Sequence, residues 1–257
     1  MKQFFAFMKK EIIQYLRTGR MFITIAMFCL FGIMNPAIAK LTPWMLQMMS
    51  KDLEQSGMQI SNMEVNALTA WTQYYKNMPI ALIIFIIMFG SILTAEYEKG
   101  TLIQVITKGM KRWGILASKF FVLFALWSLG SLICFVITWG YSEYFWDNGI
   151  VEHLVFTAFC FYLFGLWLIT VIIPASVFFR WNGAALLCTG AVFFIAYLVT
   201  LFPKVKEFSP ACLMNAMDFI TGAADINEYT FAIGITLLCI VLNVILSIFV
   251  FNRKAIS

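Results

Sequence analysis

Charge is what this chain has least of. Only 12% of its 257 residues are charged, while 62% are hydrophobic. A soluble domain carries about a quarter of its residues charged. The deficit excludes an ordinary water-soluble domain and points to an integral membrane protein. The net charge of +5 is small. In such a chain it bears on orientation across a bilayer, and nucleic-acid binding is not expected.

Histidine is nearly missing as well. His153 stands alone beside Glu152, so no ligand set for zinc or haem is in sight, and H-E-x-x-H does not occur. No C-x-x-C occurs. Cys29, Cys134, Cys160, Cys188 and Cys239 lie within apolar runs and only Cys212 lies in a loop, so the cysteines read as small packing residues, not as a disulfide framework. There is no G-x-x-x-x-G-K-[ST] loop to hold a nucleotide. The apolar runs carry no Asp, Glu, Arg or His in their interiors, and their one Lys, Lys119, sits near an end. That argues against a carrier driven by protons or sodium. Their Ser, Thr and Cys residues have no base at helical spacing. The chain is not expected to be an enzyme, to hold a metal or to bind a cofactor of its own.

What the chain does have is long apolar runs. A transmembrane helix needs about 20 such residues. Six runs qualify: Met21–Ala39, Pro79–Ala95, Ile115–Trp139, Val155–Phe179, Ala184–Leu201 and Phe231–Phe251. Ala37-Ile38-Ala39 imitates a signal-peptidase site. The roughly 20 residues before the first run are structured, unlike a short basic leader, and an uncleaved helix is the preferred reading. Pro174 predicts a kink in the fourth run, and Asn243 in the last predicts an interhelical hydrogen bond.

Lys and Arg set the orientation. Lys2, Lys9, Lys10, Arg17 and Arg20 precede the first run, and Lys99, Lys108, Lys111 and Arg112 separate the second from the third. Arg180 follows the fourth, and Arg253 and Lys254 follow the sixth. The opposite side has Lys40, Lys51, Lys76, Lys204 and Lys206, spread over longer loops that also hold acids. Both termini are expected in the cytoplasm of a multi-pass protein of the cell membrane. Trp71, Tyr74, Tyr75, Tyr141, Tyr144 and Trp146 fall where an outer aromatic belt belongs.

The first twenty residues form an amphipathic pattern. Phe4, Phe5, Met8, Ile12, Tyr15 and Leu16 share one arc, with Lys9, Lys10, Gln14 and Arg17 opposite. A helix lying in the cytoplasmic headgroup layer fits best, and a cytosolic helix that caps a partner is the other reading. Gly19 would hinge it into the first span. The first outer loop is expected from Lys40 to Asn77, punctuated by Pro36 and Pro43 at its start and Gly57 at its middle. Trp44, Met45, Leu46, Met48 and Met49 form an apolar patch in it. Before the last span, Ser209 reads as an N-cap, Pro210 as the first helical residue and Gly222 as a stop. Leu213, Met217 and Ile220 share a face between them. A half-length helix re-entering the outer leaflet and a surface helix both fit.

The segment Glu96–Lys119 is short, charged and glycine-punctuated, between two apolar runs. It must stand at a membrane face. Thr101 and Gln104 have capping-box spacing. Leu102, Val105, Ile106 and Gly109 follow at i, i+3, i+4 and i+7. A short helix with an apolar face results. A partner could cover that face, or the bilayer surface could.

The run Ala95-Glu96-Tyr97-Glu98-Lys99-Gly100-Thr101-Leu102, with Arg112, Ile115 and Lys119 downstream, resembles the signature of ABC-2-type transporter permeases, G-E-x-E-x-G-T-L-E-x-L-L-x-x-P-x-x-R-x-x-I-x-x-x-K. Ala95 and Gly109 replace that pattern's first glycine and its proline. The N-terminal helix, the Trp71 and Asn77 segment and the outer Ser209-Pro210 helix match family features in order. The resemblance implies an all-α membrane protein with one transmembrane domain over 1–257. It comprises an amphipathic helix (1–20), six helices (21–251) and a cytoplasmic tail (252–257). A coupling helix lies between the second and third spans, and a half-helix precedes the sixth. It also implies a second permease, identical or related, and two ATPase subunits that bind ATP and Mg. Glu96, Glu98, Gly100, Thr101, Leu102, Val105, Ile106, Gly109 and Arg112 would form the coupling site, driving export. A different function class on the same helices is a non-transporting receptor, immunity or scaffold module recognising a peptide or antibiotic.

Overall fold

The computed structural model describes residues 2–54, 65–107, 109–221 and 226–254. Gly57, Lys108 and Gly222 lie outside them. Among the described residues the chain is 87% helical, without strands. Nine α-helices follow in order: α1 Lys2–Arg17, α2 Arg20–Glu54, α3 Ala67–Phe89, α4 Thr94–Glu98, α5 Thr101–Thr107, α6 Arg112–Phe145, α7 Leu154–Phe178, α8 Asn182–Thr200 and α9 Ile226–Arg253. Among the described residues, six stretches are long and apolar enough to cross a membrane: Arg20–Met45, Ala67–Glu98, Arg112–Phe145, Leu154–Phe178, Asn182–Thr200 and Tyr229–Arg253. The chain is a multi-pass membrane protein.

The first outer loop is mostly helix, contrary to the sequence expectation. α2 runs on to Glu54 with Pro36 and Pro43 inside it, and α3 begins at Ala67 with Pro79 inside it. Asn66 caps α3, its side chain accepting from the Thr69 amide. A proline removes one helical donor and frees the carbonyl four residues earlier. For Pro36 that carbonyl is Gly32's, and the Thr138 hydroxyl of α6 donates to it at 3.2 Å. Thr138 in turn accepts from Asn35 Nδ2 at 3.1 Å, and Asn35 Oδ1 accepts from Asn77 Nδ2 at 2.9 Å. This directed chain ties α3 to α2 and α2 to α6. Trp71 adds another tie of α3, donating from Nε1 to Asn148 Oδ1 at 2.9 Å. Asn148 sits in the connection between α6 and α7 and also accepts from Ser142.

α7 is the central post. Of its most apolar window 78% is buried within the chain, against 17% for α8 and for α9. Trp127 of α6 donates from Nε1 to the Tyr162 carbonyl of α7 at 3.1 Å, and stacks edge-on against Phe28 of α2 and Phe85 of α3. Phe28 lies directly over Gly130, where a Cβ would come within 2.3 Å of its ring. Asn243 of α9 donates to Thr170 of α7 at 3.2 Å, the expected interhelical bond.

The segment before the last span is a 3-10 helix, Pro210–Thr221. Ser209 Oγ accepts from the Ala211 amide, as an N-cap should, and donates to the Ala196 carbonyl of α8 at 2.6 Å. Ser209, Pro210, Leu213 and Ile220 are buried and Met217 is half-buried. Phe219 packs edge-on against Tyr229 and Phe156. The segment is wedged among α7, α8 and α9, which the surface-helix reading did not foresee.

Candidate functional site

The end of the bundle that carries α1 and the tail brings together Lys10, Glu11, Glu96, Arg112, Lys119 and Lys254. The connection from α3 to α6 crosses it as two short helices, α4 and α5. Glycines at positive φ separate the pieces: Gly100 at 65° and Gly109 at 84°. After α5 the Gly109 amide donates to the Ile106 carbonyl at 2.9 Å and the Met110 amide to the Val105 carbonyl at 3.4 Å. That pair of bonds ends a helix when the residue between takes the left-handed conformation, which glycine adopts without steric cost. Gly109 therefore closes α5 where the signature has proline.

Beside α4 lies a closed ring of charges. Glu11 of α1, Glu96 of α4 and Lys119 of α6 are 1%, 7% and 2% exposed. Lys119 Nζ stands 3.1 Å from Glu11 Oε2 and 3.2 Å from Glu96 Oε2. Lys10 Nζ stands 3.0 Å from Glu11 Oε1 and 3.0 Å from Glu96 Oε1. Each carboxylate thus gives one oxygen to each ammonium, and the ring is electroneutral. Lys119 spends its third donor on the Ile92 carbonyl at 2.9 Å. The Phe7 ring covers both ammoniums, at 4.8 and 5.8 Å. Burial acts to lower the Lys10 pKa, but Glu11 and Glu96 outweigh it and the value stands raised above the ordinary lysine range.

Sequence reasoning missed this ring, though two of its members are in the signature. Glu11 was the available signal. It is the one acid in a basic N-terminal segment, on the stripe Phe7, Glu11, Tyr15 that the structure buries. A carboxylate on a buried stripe requires a cation.

α1 corrects the expected single apolar arc. Tyr15 faces the bundle, edge-on to Phe89 at 5.3 Å, and Phe4 and Met8 are half-buried. Phe5, Ile12 and Leu16 are exposed, Phe5 and Ile12 at the rims of open clefts between α1 and α6 and Leu16 further round the helix. The helix therefore has two apolar sides, one on the bundle and one off it. Gly19, at φ 72°, makes the turn into α2.

In the α4–α5 segment the expected residues separate. Glu96 turns inward to the ring, while Glu98 is exposed. Thr101 is the first residue of α5, directly after Gly100, where capping-box spacing expects it to precede the helix. Leu102, 1% exposed, is already buried by the chain itself, which overturns its expected burial by a partner. Val105 and Ile106 are half-buried, and Ile103 is 43% exposed.

Arg112 is occupied within the chain. Its Nη1 donates to the carbonyls of Phe251, Asn252 and Lys254 at 3.0, 3.2 and 2.7 Å. Lys254 donates to the carbonyls of Val177 and Phe178, and its ammonium stands 4.8 Å from the Tyr97 ring centre. Burial, and then Arg180, push the Lys254 pKa down. Arg112 and Lys254 thus place cations at the carbonyl ends of α9 and α7, where the helix dipole favours them.

A family sequence model, described as ABC-2 family transporter protein, matches residues 5–256. No curated protein and no solved structure matches the chain.

Proposed function

Since the chain belongs to the ABC-2 family of transporter proteins and is its membrane-spanning permease component, we propose that it serves an ATP-driven exporter whose ATPase subunits dock on the α4–α5 segment. One observation carries the reading. α5 lies between two membrane-crossing helices, outside both, tied down at its two ends and presenting Ile103 unburied. The half-buried Ile106 follows one helical turn on from it, and Glu98 of α4 is exposed. A partner cleft that covered them would gain apolar burial and meet an exposed carboxylate. ATP and Mg would be bound in the partner. Closure of two ATPases would press on two such segments, one from each of two permeases, identical or related. The ties described above would carry the push: Glu96 to α1 and α6, Arg112 to α9, and Tyr97 through Lys254 to α7. This end of the bundle, with both termini, would face the cytoplasm of a cell membrane, in keeping with its lysines and arginines.

Affinity purification of the tagged chain from its own host, with native mass spectrometry, tests this. Two permeases with two nucleotide-binding subunits are expected. Ile103→Asp should insert normally and lose the ATPase. Burial of one aliphatic side chain contributes about 1.5–3 kcal/mol, so docking should weaken more than about tenfold. Purification without any ATPase, or equal recovery with Ile103→Asp, would refute the reading.

A further inference from the structure

The N-terminal helix grips the docking segment at its first turn. Lys10 reaches Glu96 directly, at 3.0 Å, and Glu11 reaches it through Lys119. Glu96 stands five residues before Thr101, with only the rest of α4 and the Gly100 turn between. The far side of α1 carries Ile13 and Leu16, both exposed. On that side the helix has apolar surface to set into lipid, and on this side it holds charges in a fixed ring.

Resting on the docking reading above, we infer that Lys10 and Glu11 are positioning residues for the docking segment, with α1 setting the height of α5 relative to the bilayer. The geometry favours a joint over a stability device. A buried ion pair is weak evidence for stability, because desolvation offsets the attraction. Its directional bonds nonetheless fix where each partner sits, and here they fix three helices at one point. The first turn of the docking segment cannot tilt without breaking a contact to α1 or to α6.

Hydrogen exchange on the full chain in nanodiscs of phosphatidylcholine and phosphatidylglycerol tests this without any ATPase, so its failure is separate from a failure of docking. Glu11→Gln and Lys10→Met are compared with the natural chain. Losing a charge-assisted contact should speed exchange of the amides in 97–107 by about tenfold, as a local opening. Exchange in α7 should not change. Lys10→Arg keeps the charge and should keep the natural rate. Lys10 is half-exposed, so Lys10→Met inserts and decides the matter even if Glu11→Gln does not. The inference is overturned if Lys10→Met leaves 97–107 at the natural rate, if Lys10→Arg exchanges like Lys10→Met, or if all spans accelerate together.

Discussion

Exchanging the charges of Glu11 and Lys119 discriminates a ring from two independent pairs. If Glu11–Lys119 and Lys10–Glu96 were separate, Glu11→Lys with Lys119→Glu would keep both. In the ring, each carboxylate touches both ammoniums at 3.0–3.2 Å. The swap then sets a glutamate at 119 against Glu96 and a lysine at 11 against Lys10. Lys10 can swing to water, since its side chain is 45% exposed. The two carboxylates cannot, and the Ile92 carbonyl would face a third acceptor in place of a donor. A neutral comparison is Glu11→Met with Lys119→Met, which leaves Lys10–Glu96 intact. Replacing a buried pair by apolar groups of similar volume is near neutral, while removing one partner costs about 3–5 kcal/mol. Glu11→Ala should therefore fall in that range, the double methionine variant within about 1 kcal/mol of the natural chain, and the swap at or below Glu11→Ala. Thermal unfolding of the purified chain in detergent, followed by tryptophan fluorescence, ranks them. A swap as stable as the natural chain would refute the ring. A silent Glu11→Ala would refute the burial of Lys119.

Other outcomes follow from named contacts. Asn35→Leu removes the middle of the Asn77–Asn35–Thr138 chain and leaves the half-buried Asn77 amide and the buried Thr138 hydroxyl each short of a partner, so stability should drop about 1–3 kcal/mol in the same unfolding assay. Gly109→Ala forces a side chain into the left-handed region at φ 84° and should cost about 1–2 kcal/mol, weakening ATPase recovery more than insertion. Impermeant thiol labelling of intact cells, in a background lacking native cysteines, should modify His153→Cys and spare Lys99→Cys; the reverse would invert the proposed orientation. The raised Lys10 pKa means its contribution to the ring is complete below the ordinary lysine value of 10.5 and lost only as pH rises through the raised value. Unfolding scans at neutral and moderately alkaline pH should therefore show no loss that Lys10→Met abolishes.

Apolar run length was enough to place all six spans, because hydrocarbon demands it of any spanning helix. Their ends were less legible. Pro36 and Pro43 look like a loop to local rules, but Thr138 of a distant helix takes up the carbonyl that Pro36 frees. The docking segment was readable from its glycines. Which of its apolar residues faces outward was not: Leu102 and Ile103 are both aliphatic, yet the fold buries Leu102 and leaves Ile103 43% exposed. Glu11 escaped because its buried partner, Lys119, is 108 residues away in sequence, and no periodicity links them.

The contrast between the enclosed α7 and the open α8 and α9 has a bearing on mutational tolerance. Volume changes at the buried positions of α7 meet packed neighbours, and truncating a buried Leu or Ile there costs about 2–5 kcal/mol. Leu187, Phe194 and Ile195 of α8 and Leu238, Val241 and Ile245 of α9 are exposed in the single chain. Against lipid, one apolar side chain serves there nearly as well as another. A saturation library should thus be permissive along both helices, except where a neighbouring molecule is pressed against them. Exposed positions that refuse conservative swaps would trace that neighbour's footprint without its structure being known.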